Sequence, residues 1–238
     1  RDSSTSRGLG DVYKRQQVKT VNIPHNWDDY YGYRQLTHGN LHGTAMYQKE
    51  FSVPQLEGNK RYFLRFEGVG TYATIQVNGV DFGRHPVGRT TLTLDVTKAL
   101  KPGQANLLEV KAEHPELIAD MPWVCGGCSS EWGFSEGSQP FGIFRPVTLV
   151  ETDEVRIEPF GVHIWNNEKA DSVFVDLEIK NYSKHLQEIE VVNKLSDADG
   201  RQTFRLTQKL TLKPGELRVI RQQSPVKDAS RWSTEKPY

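Results

Sequence analysis

The sequence predicts an all-β protein built as two successive sandwiches, and three observations carry that prediction. Beyond residue 45, apolar residues recur at every second position, as in Ala73, Ile75 and Val77 or Leu108, Val110 and Ala112. This is the period of strands with one buried face. Turn chemistry separates the runs at short intervals, most clearly at Asn78-Gly79, Pro102-Gly103 and Pro214-Gly215, where proline presets φ and glycine accepts positive φ. Helical spacing is scarce.

Residues 1–16, which open Arg1-Asp2-Ser3-Ser4-Thr5-Ser6, follow neither period and have little to bury, so they are expected to be disordered. They also resemble a translated sequencing adaptor, in which case Arg1 is not the native start; the alternative is a flexible natural N-terminus. A first domain is expected over 17–152. Its strands are expected at Tyr62, Leu64 and Phe66, and at Ala73, Ile75 and Val77. Asn78-Gly79 then closes a tight hairpin, because that dipeptide tolerates the type I′ angles that match strand twist. Further strands follow at Leu92, Leu94 and Val96, at Leu108, Val110 and Ala112, and at Val147 and Leu149.

A second domain is expected over 153–238, with strands around 157–165, at Val173, Val175, Leu177 and Ile179, at Ile189 and Val191, at Phe204 and Leu206, and at Leu217 and Val219. Short alternating strands at near-regular spacing point to an immunoglobulin-like sandwich. Such a domain takes about seven strands in roughly 100 residues, while about 85 remain here. One strand is therefore expected to be missing, with the chain cut in mid-domain.

Composition excludes several classes. Lysine plus arginine and aspartate plus glutamate each number 30 in the 238 residues, so no net field draws the chain to nucleic acid or an anionic membrane. No run of about 18 apolar residues exists to span a bilayer as a helix. Two cysteines make no disulfide scaffold and do not identify a redox compartment. Cys125 and Cys128 lack the second pair that a zinc site would need, and no βαβ pattern surrounds them to suggest a redox helix, which leaves a local disulfide or two free thiols. The histidines show no metal spacing, and His25 and His163 are expected to satisfy local hydrogen bonds. No metal and no cofactor is expected.

The segment 114–141 is the leading candidate surface. It is too long for a simple turn and carries Trp123, Trp132, Phe134 and Phe141 among many small residues, and long loops in compact domains are often functional. Aromatic faces of this kind can stack on a sugar; the other reading is that they plug the sandwich or a domain interface.

Four words in order carry a family resemblance: Val21-Asn22-Ile23-Pro24-His25-Asn26-Trp27-Asp28, the strand at 47–51, Asn78-Gly79-Val80-Asp81-Phe82-Gly83-Arg84-His85, and Gly142-Ile143-Phe144-Arg145. Together they resemble the front of glycoside hydrolase family 2 enzymes, which include β-galactosidases and β-glucuronidases, and the resemblance reaches from Val21 to Tyr238. The turn Pro86-Val87-Gly88-Arg89 departs from the family's usual Gly-Gly-Tyr type. The resemblance implies a jelly-roll-like, galactose-binding-like sandwich followed by the immunoglobulin-like one, with catalysis in a later barrel beyond this chain. It implies no catalytic residue here, since retaining hydrolysis needs two carboxylates about 5 Å apart and the family keeps both on the barrel. Asn167-Glu168 superficially matches part of that chemistry, but it lies in a short polar turn and is rejected.

On the same resemblance, Glu136 would reach toward the sugar, with Trp123 and Trp132 as further substrate-binding candidates; a solvated surface glutamate is the alternative. The motif residues Asn78, Gly79, Gly142 and Arg145 are structural candidates. Pro146 biases Arg145 toward extended backbone, from which its guanidinium fork could clamp a carboxylate or carbonyl within the domain or contact the barrel. The expected function is the non-catalytic front of a β-galactosidase-like hydrolase, its carbohydrate partner bound through the barrel, with homo-oligomerisation open and a secreted or periplasmic setting implied. A stand-alone carbohydrate-binding or adhesion module is the competing reading.

Overall fold

The computed structural model describes residues 18–27, 43–88, 90–115, 141–197, 199–227, 229 and 232–235. Among the described residues the elements are twelve strands and no helix. In the first half, β1 (Gly43–Ser52), β6 (Ala105–His114), β3 (Tyr72–Val77) and β4 (Val80–His85) form an antiparallel sheet in the order β1-β6-β3-β4. Facing it are β5 (Leu92–Asp95), β2 (Lys60–Phe66) and β7 (Val147–Asp153), in the order β5-β2-β7.

Register explains the core. Ala73, Ile75 and Val77 pair with Ala112, Val110 and Leu108, which puts six apolar side chains on one face. Tyr62, Leu64 and Phe66 meet them from β2, with Val69, Val96 and Ile143 closing the cluster. Each large side chain withdrawn from water here contributes about 1.5–3 kcal/mol.

The turns follow their chemistry. Asn78 (φ 53°) and Gly79 (φ 80°) take the two positive angles of the hairpin. Asn78 also donates from Nδ2 to Ala99 O and Asn106 Oδ1 and accepts from Leu107 N. Asn106, fully buried, in turn donates to Lys101 O and Gln104 O and accepts from Lys101 N. Buried polar groups survive where they are satisfied, and this pair satisfies the carbonyls of two turns at once.

In the second half, β8 (Val155–Asn166), β9 (Ser172–Asn181) and β12 (Leu217–Pro225) form a sheet in the order β12-β9-β8, while β10 (Gln187–Ser196) and β11 (Gln202–Leu212) form a two-stranded one. The shared core is small: Leu177, Ile179, Val191, Leu212 and Ile220. Asn193 Nδ2 donates to Gln222 Oε1 at 2.6 Å, which places β10 across β12. Val162 and Ile164 pair with Leu177 and Val175 and so point to the core side, yet they are 49 % and 61 % exposed. Val155, at the start of β8, packs against this core, so it is the later part of the strand that is left exposed.

One expected phase is corrected. Leu217 and Val219 were expected to supply the apolar face of the last strand, but both are exposed and Ile220 is buried. Ile220 pairs with Leu177, so the inward set of β12 is Arg218, Ile220, Gln222 and Ser224. A period of two leaves the phase undecided when the inward set is mostly polar.

Candidate functional site

Two long segments attach to one end of the first sandwich. Gly43 opens β1 opposite His114, the last residue of β6. His114 meets Phe141 edge to face at 4.0 Å, and Phe141 stacks on Trp27 at 5.6 Å and 12°. The described residues that flank 28–42 and 116–140 thus converge on one aromatic knot.

The knot is held by backbone as well as rings. His25 N donates to Ile143 O at 2.7 Å, Gly70 N donates to Gly142 O at 2.9 Å, and Phe141 N donates to Asn26 Oδ1 at 3.3 Å. His25 Nδ1 lies 2.8 Å from Tyr47 Oη. Burial pushes the Tyr47 phenol above its ordinary value, while a hydrogen bond with the Ile143 backbone pulls the other way. Gly142 sits at φ 79° beneath this pair. A Cβ there would collide with the Tyr47 hydroxyl and stand 3.0 Å from His25 O. Glycine is therefore required twice over, for conformation and for space.

The candidates divide sharply by position. Glu136, Trp123 and Trp132 lie outside the described residues, as do Phe134, Cys125 and Cys128. Phe141 is 1 % exposed and packed between His114 and Trp27, so its ring serves as a plug. Gly142 is at the knot. Arg145 follows it on the approach to β7, exposed, its guanidinium carbon 5.8 Å from the Phe144 ring centre. Asn78 and Gly79 are at the opposite end of the sandwich, beyond Val77, which pairs with Leu108 rather than with the Glu113 end of β6. The structure brings Gly142 together with His25, Trp27 and Tyr47, and leaves the hairpin motif remote. Sequence reasoning missed Tyr47 as a partner of Gly142 and His114 as a partner of Phe141; Asn26 and Phe141 are 115 residues apart, and no local pattern reports such a meeting.

Asn167 is a turn bracket. Its Nδ2 donates to Asp171 Oδ1 and its Oδ1 accepts from Asp171 N and Ser172 N. Among the described residues no cluster of three or more His, Cys, Asp or Glu could hold a metal ion, and no helix is long and apolar enough to cross a membrane.

Residues 23–121 match the family model described as the glycosyl hydrolase 2 galactose-binding domain-like domain, and residues 155–238 match that of glycosyl hydrolases family 2. The chain is 25 % identical to a β-glucuronidase of Formosa agariphila over 95 % of its own length, and 25 % identical to a β-galactosidase of Bacteroides ovatus over 92 %. It spans about a quarter of the length of each, 25 % in both cases. The crystal structure of a Bacteroides uniformis β-glucuronidase superposes with a TM-score of 0.74 at 21 % identity, over 90 % of this chain and 25 % of that one. Two family models in succession, relatives aligned along nearly the whole chain and a shared all-β fold agree: the chain belongs to glycosyl hydrolase family 2 and carries that family's galactose-binding-like and immunoglobulin-like domains.

Proposed function

We propose that the two sandwiches are the non-catalytic front of a larger retaining O-glycoside hydrolase, β-galactosidase-like in its chemistry. They buttress the catalytic domain and shape one wall of its substrate cleft. The observation that carries this reading is the pairing of near-complete coverage of this chain with quarter coverage of relatives named β-glucuronidase and β-galactosidase. The knot supports a framework role. Its aromatic rings are turned on one another, and its polar contacts run to backbone atoms and to the His25–Tyr47 pair. That is the chemistry of fixing segments in place, and wall-shaping loops need a rigid root.

In this reading the loop residues Glu136, Trp123 and Trp132 face the sugar, with Glu136 accepting hydroxyl hydrogen bonds. Proton transfer and nucleophilic attack belong to carboxylates elsewhere in the parent. The purified 238-residue chain, assayed on chromogenic β-galactosides and β-glucuronides, is expected to give no turnover above the blank. Hydrolysis that copurifies with the chain through successive columns would overturn the proposal. Tight, saturable sugar binding by the same inactive chain would favour a carbohydrate-binding module instead.

A further inference from the structure

The two sandwiches meet at a second constellation, none of whose residues belongs to the knot. β7 ends at Asp153 and β8 begins at Val155, so one residue, Glu154, joins the halves. A one-residue junction limits separation but still permits rotation, because a few backbone angles suffice for a hinge. What closes this one is a set of side chains. Phe63 lies on the face of β2 opposite Tyr62 and Leu64, outside the first core, yet it is 1 % exposed. Its cover comes from the second sandwich: Tyr182 meets it edge-on at 5.2 Å and 72°, and the Arg156 guanidinium lies 3.5 Å from its ring centre.

Arg156 is held on its other sides as well. Its Nη2 donates to Glu158 Oε2 at 3.1 Å, and its guanidinium carbon is 5.3 Å from the Tyr182 ring centre. Across the junction Arg61 of the first sandwich donates from Nη2 to the backbone carbonyl of Tyr182 and lies 3.7 Å from Asp95 and 3.5 Å from Glu154. Tyr182 N donates to Glu154 O at 2.7 Å. A planar cation seated this close over one ring and ion-paired at its edge tolerates little rotation. A turn about Glu154 would slide the guanidinium off Phe63 and expose that ring.

We infer that Arg156 is the keystone of a seam that locks the two sandwiches into one rigid body, so that the knot is carried at a fixed orientation relative to the second sandwich. The inference goes beyond the glycosidase reading and stands independently of it.

Residual dipolar couplings of the full chain test it. A single alignment tensor is expected to fit both halves of the unmodified protein. Arg156→Ala is expected to need two tensors, while the couplings within each half still fit that half, which separates uncoupling from unfolding. Arg156→Lys, which keeps the charge and loses the flat face, is expected to do the same. Should Arg156→Ala fail to fold, Phe63→Leu removes the ring face while retaining apolar bulk, and the same loss of a common tensor is expected. Two tensors in the unmodified chain, or one tensor surviving in the folded variants, would overturn the proposal.

Discussion

The first sandwich is sealed and the second is half open. Sixteen buried apolar residues make the first core among the described residues, against five in the second. Both halves show the same alternation in sequence, so the difference lies in what faces each strand. Seven strands in two sheets of the first half cover one another, whereas among the described residues β10 and β11 face a three-stranded sheet and leave Val162 and Ile164 of β8 exposed. Alternation thus gives a strand its apolar side and not its cover. The first sandwich can anchor the knot on a rigid base, and the second draws part of its order from the seam.

The largest effect that would break this contrast is a core truncation. Phe66→Ala, at a fully buried ring in β2, is expected to destabilise by about 3–5 kcal/mol. Ile164→Ala, on the uncovered face of β8, is expected to cost less than about 1 kcal/mol. Denaturant unfolding of the two variants checks both, and equal costs would mean that β8 is covered after all.

A device common to both halves sharpens the comparison. Asn181, fully buried, donates to His185 O, Leu212 O and Lys213 O and accepts from Ser183 N, as Asn106 serves the turns of the first half. Asn181→Ala and Asn106→Ala each strand buried carbonyls, at an expected cost of about 1–3 kcal/mol. Similar losses in urea titrations would show that turn anchoring does not depend on core size.

The seam adds a pH dependence. Burial pushes the Tyr182 phenol from 10.0 up to about 12, assisted by its hydrogen bond with Glu158. A folded pKa above the unfolded one means that the contribution is complete below the unfolded value and disappears as pH climbs through the folded one. Thermal stability should therefore fall between about pH 10 and about pH 12, and Tyr182→Phe should lose that part of the slope. An unchanged slope in the variant would place the titration elsewhere.

The smallest effect is a gain. Phe160 sits at φ 61° in the irregular stretch of β8, 85 % exposed, beside Gly161, whose added Cβ would come within 2.8 Å of Glu158 O. Phe160→Asn is expected to stabilise by about 0.5–1 kcal/mol, since asparagine tolerates the left-handed region better. A loss of stability on melting would mean that the ring has a partner within the fold.

Much of the first half was legible because its inward residues are continuous runs: Tyr62, Leu64 and Phe66, or Ala73, Ile75 and Val77, declare both strand and phase. Asn78-Gly79 declared its turn for the same reason, since its chemistry is local. Phe63 was hidden because it is off-phase and its ring is covered by Tyr182 and Arg156 from the other sandwich. Leu217 and Val219 misled because the inward set of β12 is mostly polar. At the knot, Pro24-His25-Asn26-Trp27 and Gly142-Ile143-Phe144-Arg145 both stood out as words, but their meeting over Tyr47 depends on register between distant strands. Glu136, Trp123 and Trp132 fall outside the described residues, so the sugar-facing reading rests on resemblance and on the position of the loop's roots.

Native-state hydrogen exchange compares the two halves strand by strand. Amides of β3 and β6 should open only with global unfolding, while those of β10 and β11 should exchange roughly a hundredfold faster through local opening. Equal protection in both sandwiches would contradict the contrast between a sealed half and an open one.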